Sequence, residues 1–116
     1  MADIWIKAKV KGEKEKELDM LANTGADIVV LPPKVIDEIS PKSLGDEEEI
    51  EVGGGIKIKG RPYLVYIEIS DESGKKKGKE VVAFKVEGQR IPLFGSVALA
   101  EFGVVLYPKE GKYKLE

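Results

Sequence analysis

Apolar and polar positions alternate from the start of the chain. Ile4, Ile6, Ala8 and Val10 interleave with Trp5, Lys7 and Lys9, the period of two that marks a half-buried strand. Gly12 to Lys16 is a polar turn, and a second strand runs from Leu18 to Ala22. After Asn23-Thr24-Gly25-Ala26 comes Ile28-Val29-Val30-Leu31. Short, unbroken and rich in β-branched residues, this run predicts a strand buried on both faces. Pro32 and Pro33 stop it. A short helix is predicted over Lys34 to Ile39, with Val35, Ile36 and Ile39 at helical spacing and Pro33 near its first turn.

The second half reads as hairpins. Glu49 to Val52 and Ile56 to Lys59 flank Gly53-Gly54-Gly55, a connection with little steric restriction. Tyr63 to Ile69 and Glu80 to Val86 are two further strands. The charged stretch between them, Ser70 to Lys79, reads as a solvated loop. Gly88 to Arg90 is a turn. Ile91-Pro92-Leu93-Phe94 leads through Gly95 into a second predicted helix, Ser96 to Phe102, with Ser96 as its N-cap and Gly103 ending it. Val104 to Tyr107 and Lys112 to Leu115 close the chain as strands. The sum is seven to nine strands and one or two short helices: an all-β, barrel-like single domain spanning 1–116. "Apolar run, tight glycine, apolar return" occurs twice, around Gly25 and around Gly95, which suggests two pseudo-symmetric halves.

Composition narrows the chemistry. In 116 residues there are 19 Lys+Arg and 21 Asp+Glu, a net charge of -2 that gives no bulk attraction to nucleic acid or anionic membrane. Apolar residues make up 42%, enough for a core. With no Cys and no His, disulfides, thiol catalysis, Ser-His-Asp triads and ordinary zinc sites are excluded. The apolar runs fall short of the ~20 residues of a membrane span, and the first residues do not resemble a secretion signal. A soluble, cytoplasmic domain is expected, with no cofactor and no metal. Any chemistry must come from carboxylates, hydroxyls, amides, Lys or Arg.

The most specific segment is Leu21-Ala22-Asn23-Thr24-Gly25-Ala26-Asp27-Ile28-Val29-Val30-Leu31-Pro32. It resembles the signature of the retropepsins, the retroviral-type aspartic proteases, and of the cellular and prokaryotic domains similar to them: two apolar residues, Asp-Thr/Ser-Gly-Ala, then an apolar strand. One element departs, because Asn23 stands where the family carries its catalytic Asp. Val52-Gly53-Gly54-Gly55-Ile56 looks like the family's glycine-rich flap tip. Leu93-Phe94-Gly95 looks like its apolar-apolar-Gly, and Ala98 to Gly103 like the helix that follows. The likeness covers Leu18 to Leu115 in order.

The resemblance implies a closed barrel with a flap hairpin and a homodimer, since one chain supplies one signature and the chemistry needs two carboxylates sharing a proton across a twofold axis. It implies endopeptidase action on an extended peptide or unfolded protein, with no nucleic-acid or membrane partner. It gives the catalytic position to Asn23, a bond to the partner loop to Thr24, and a contact to substrate main chain to Gly25. Ala26, Asp27 and the flap residues Val52, Gly53, Gly54 and Gly55 fall at substrate-binding positions. Leu21, Val30, Ile91 and Leu93 fall where the family lines its side-chain pockets. For Val30 plain core is an equal alternative, and for Asp27 so is a cap to its own loop. Viral members often carry Arg after the second glycine; here it is Ser96, which puts any Arg brace to Asp27 in doubt.

Asn23 decides what this molecule does. An amide is nearly the shape of a carboxylate but takes up and shares no proton. In a symmetric dimer both partners are lost, and general acid-base help is worth ~10²–10⁴-fold. Hydrolysis is therefore expected near background while peptide binding and dimerisation survive. The simpler history is a deliberate Asp→Asn exchange that prevents self-digestion; a natural pseudoprotease, a peptide-binding or dimerisation module, is the other. An unrelated oligonucleotide-binding barrel is a remote rival, because Lys75-Lys76-Lys77-Gly78-Lys79 lacks interleaved aromatics. Asp46 to Glu49 lacks calcium-loop spacing and reads as solvated surface. Trp5 is either an interface anchor or a lid on the core.

Overall fold

The computed structural model describes residues 3–116. The chain is mostly strand, 53%, with 11% helix, and its centre is a closed six-stranded β-barrel. The elements are β1 (Trp5–Lys11), β2 (Glu15–Asn23), β3 (Val29–Leu31), α1 (Pro33–Ile39), β4 (Lys42–Ser43), β5 (Glu48–Glu51), β6 (Lys57–Ser70), β7 (Lys76–Lys85), β8 (Leu93–Gly95), α2 (Ser96–Glu101), β9 (Val104–Tyr107) and β10 (Lys112–Leu115). The barrel order is β1-β2-β8-β3-β7-β6, and β6 pairs back to β1 to close it. The pairs β2–β8 and β3–β7 are parallel and the other barrel pairs antiparallel.

Alternation dictates the inside. Ile4, Ile6, Ala8 and Val10 from the first strand are buried, as are Val65, Ile67 and Ile69 from β6. Phe94 and Phe102 meet edge to face with ring centroids 5.1 Å apart, an arrangement aromatic rings favour. Helix α1 forms as the sequence predicts, starting at Pro33 and burying Val35, Ile36 and Ile39. Helix α2 ends at Glu101 with Phe102 as its C-cap, and Gly103 follows with a φ of +66° that suits glycine.

The structure corrects the sequence reading in four places. The strands predicted over 56–59 and 63–69 are one, β6, which runs through Pro62. Pro62 lies opposite Phe84 of β7, between the stretch of β6 paired with β5 and the stretch paired with β4. A proline is tolerated where partners change because no donor is needed there. Half of the predicted loop over 70–79 is strand. Only a five-residue turn separates β6 from β7, because Asp71 accepts hydrogen bonds from the Ser73 and Lys75 N–H groups and folds the chain tightly. Ser96 is not the N-cap of α2; that position is Gly95, without a side-chain cap. Among the described residues the strand count is ten rather than seven to nine.

The chain ends are docked on the barrel. Tyr113 Oη accepts from the Lys7 N–H at 3.0 Å and donates to the Ser70 carbonyl. The phenol thereby bridges Lys7 and Ser70, the last register pair between β1 and β6. Asp71 Oδ2 accepts from the Leu115 N–H at 2.9 Å.

Candidate functional site

The site grows out of the end of β2. The strand stops at Asn23, and the chain turns through Thr24 and Gly25. The Asn23 side-chain oxygen accepts from the Gly25 N–H at 3.0 Å and so holds the turn from within. Asn23 is half-buried, Thr24 and Gly25 are exposed, and Ala26 is buried. Beside this turn runs β8, parallel to β2, with Leu21 opposite Leu93, Ala22 opposite Phe94 and Asn23 opposite Gly95. The two halves of the sequence echo are thus neighbours in the sheet.

Gly95 explains why a glycine follows the apolar pair. A Cβ there would lie 2.3 Å from the Ile28 carbonyl oxygen and 2.6 Å from the Asp27 carbonyl carbon, so no other residue fits without moving backbone. That close approach lets the Ser96 N–H donate to the Ala26 carbonyl at 2.7 Å and the Ser96 hydroxyl to Asp27 Oδ1 at 3.0 Å. Asp27 therefore caps neither its own loop nor an arginine. Its carboxylate is tied to the second glycine loop by a short hydroxyl.

The roof is the hairpin of β5 and the first part of β6. Its tip is closed by the Val52 N–H donating to the Ile56 carbonyl at 2.8 Å, and Gly53, Gly54 and Gly55 all have positive φ. Gly53 rests directly on the turn below: a Cβ on it would lie 2.3 Å from the Gly25 carbonyl oxygen. Under the hairpin, Ile50 and Ile58 cover Val30, Phe84, Val86, Ile28 and Leu93, a second apolar cluster separate from the barrel interior.

This cluster belongs to a longer row. Cross-strand registers place Trp5 opposite Leu21, Leu21 opposite Leu93, Leu93 opposite Val30, and Val30 opposite Phe84. Residues in register share a face of a sheet, so five apolar side chains cross five strands on the face away from the main core. The hairpin covers the Val30–Phe84 end. Leu93 lies at the margin of that cover; the Leu21–Trp5 end beyond it is open, and Trp5 is 44% exposed.

Of the residues the sequence singled out, Asn23, Thr24, Gly25, Ala26 and Asp27 form the turn, and Gly53 lies against it, with Val52 half-buried beside it in sequence. Gly54 and Gly55 stand at the tip with open space around them. Leu21, Val30 and Leu93 fall in the row; Ile91, two residues before Leu93 in sequence, is outside the strand registers and 44% exposed. Val30 is buried, but in the cluster beneath the hairpin rather than in the barrel interior. Sequence reasoning missed Phe84, Ile50 and Ile58 as floor and roof. Val81-Val82-Ala83-Phe84 is apolar throughout, so alternation could not say which side faced the hairpin.

Chemically, the turn offers an amide that gives and accepts hydrogen bonds but transfers no proton, together with an apolar row suited to an extended chain. Among the described residues, no group of three or more Asp or Glu is placed to hold a metal ion, and no helix is long and apolar enough to cross a membrane. No protein-family model matches the chain, and no curated protein matches it.

Proposed function

We propose that the chain is a retropepsin-like aspartic peptidase domain that works as a homodimer, with Asn23 holding the place of the proton-sharing Asp and leaving this form inactive. The observation that carries this reading is Asn23 itself, at the end of a strand paired in parallel with Leu93-Phe94-Gly95 and directly beneath a glycine-tipped hairpin. The apolar row beside it supports an extended polypeptide as the ligand. With Asp at position 23 in both copies, one carboxylate would take a proton from a water as the other gave one to the peptide carbonyl, a pair kept half-ionised by mutual repulsion.

Reversion tests this. Asn23→Asp should cleave an unfolded protein with an optimum on the acid side of neutrality, at a rate at least 10²-fold above the Asn23 form. A folded, dimeric revertant without cleavage would instead favour a peptide-binding module in which Asn23 is native.

A further inference from the structure

We infer that Trp5 is a specificity-determining residue of this same groove, the wall that receives a large apolar side chain of the peptide about three residues from the scissile bond. The inference rests on the proposed peptidase reading and extends it to a class of substrate. Trp5 is the last member of the apolar row, directly opposite Leu21 on the neighbouring strand, and Leu21 is two residues before Asn23. Strand spacing and rise place Trp5 about 8 Å from Asn23. An extended peptide points every second side chain to the same face, ~6.8 Å apart. If the residue next to the scissile bond sits over Leu21 and Leu93, the residue two further along reaches the indole.

The surroundings define what fits there. Beyond Trp5 the row opens into a cleft of about 440 Å³ that the indole shares with Lys7, Lys112, Tyr113 and Asp71. Lys76 and Glu72 line the cleft as well, so its lining is mostly polar and the rings of Trp5 and Tyr113 are its apolar surfaces. The Asp71 carboxylate is occupied by the N–H groups of Ser73, Lys75 and Leu115 and by the Ser73 hydroxyl, so it does not compete for the incoming side chain. A Leu, Phe or Tyr would bury itself against the indole, whereas a Ser has no apolar surface to bury there.

Because Trp5 is the only tryptophan, the chain carries its own probe. Two ten-residue peptides without tryptophan, identical except for Phe or Ser three residues from the central bond, should be titrated into the Asn23 protein. The Phe peptide should shift the indole emission and bind about tenfold more tightly, and Trp5→Ala should erase that difference while Trp5→Phe retains most of it. Cleavage of the same pair by Asn23→Asp should show the preference mainly in KM. Equal preference in Trp5→Ala overturns the inference while leaving the peptidase reading intact. A revertant that cleaves neither peptide overturns both. An indole emission that follows protein concentration without peptide would place a second copy of the chain over Trp5, and also overturns it.

Discussion

At the scale of single residues, two glycines and one amide set the geometry of the site. Gly95 is required because a Cβ there would lie 2.3 Å from the Ile28 carbonyl oxygen, and Gly95→Ala should cost about 3 kcal/mol of stability, because the obstructing atoms are main chain and cannot step aside. Urea unfolding would read it. Gly53 differs: it combines the same closeness to Gly25 with a φ of +62°, but it sits on a hairpin that can lift. Gly53→Ala should leave the unfolding midpoint nearly unchanged while speeding hydrogen exchange at residues 52–56. An unchanged exchange rate would mean that the tip does not depend on that contact. Phe102, fully buried against Phe94, should lose about 3–5 kcal/mol on truncation to Ala.

Between residue and fold stand the elements, and here the acid-base chemistry outside the site matters. Asp71 ties the β6–β7 turn to β10. The Leu115 N–H, the Ser73 hydroxyl and further backbone donors hold its carboxyl down at about 2, against an ordinary 3.8. A carboxyl lowered on folding stabilises the native state fully above the higher value, and the contribution disappears as the pH falls through the lower one. The docking of β10 should therefore persist through mildly acidic solution and fail near pH 2. Asp71→Asn should lower the melting temperature at pH 6, with the gap to the parent closing as the pH approaches 2. A constant gap over that range would show that the carboxylate charge is irrelevant to the tail.

The same elements show how far the sequence could be read. Strands with strict alternation, such as Ile4 to Val10, and helices with a clear apolar side, such as α1, were legible because one periodicity was present without a competitor. The stretch 70–79 was not: its charge suggested solvent, yet Lys77 and Lys79 lie on a strand beside the end of α2, where Lys79 Nζ donates to the Glu101 carbonyl at 3.3 Å and Lys77 Nζ approaches Gly103. Lysines at a helix C-terminus meet its unpaired carbonyls and negative end, a role that composition does not announce. Asn23, Gly53 and Gly95 were legible as a set only through the family resemblance. The Ser96–Asp27 bond was legible from neither pattern nor likeness, because a hydroxyl in place of an arginine reveals its partner only in three dimensions.

For the whole molecule, the prediction concerns assembly. The Asn23 form should sediment as a dimer at least as tightly associated near neutral pH as Asn23→Asp, since two carboxyls that repel are absent. A monomer at high concentration would defeat the shared site.

The way the hairpin tip sits on Gly25 bears on kinetics. A ligand that seats between the Asn23 turn and that tip has to lift the tip off Gly25, so the observed rate of its capture should climb with ligand concentration and then level off. The plateau would be a property of the protein alone, identical for ligands of very different affinity. Tight and weak ligands would then be told apart by how long they stay.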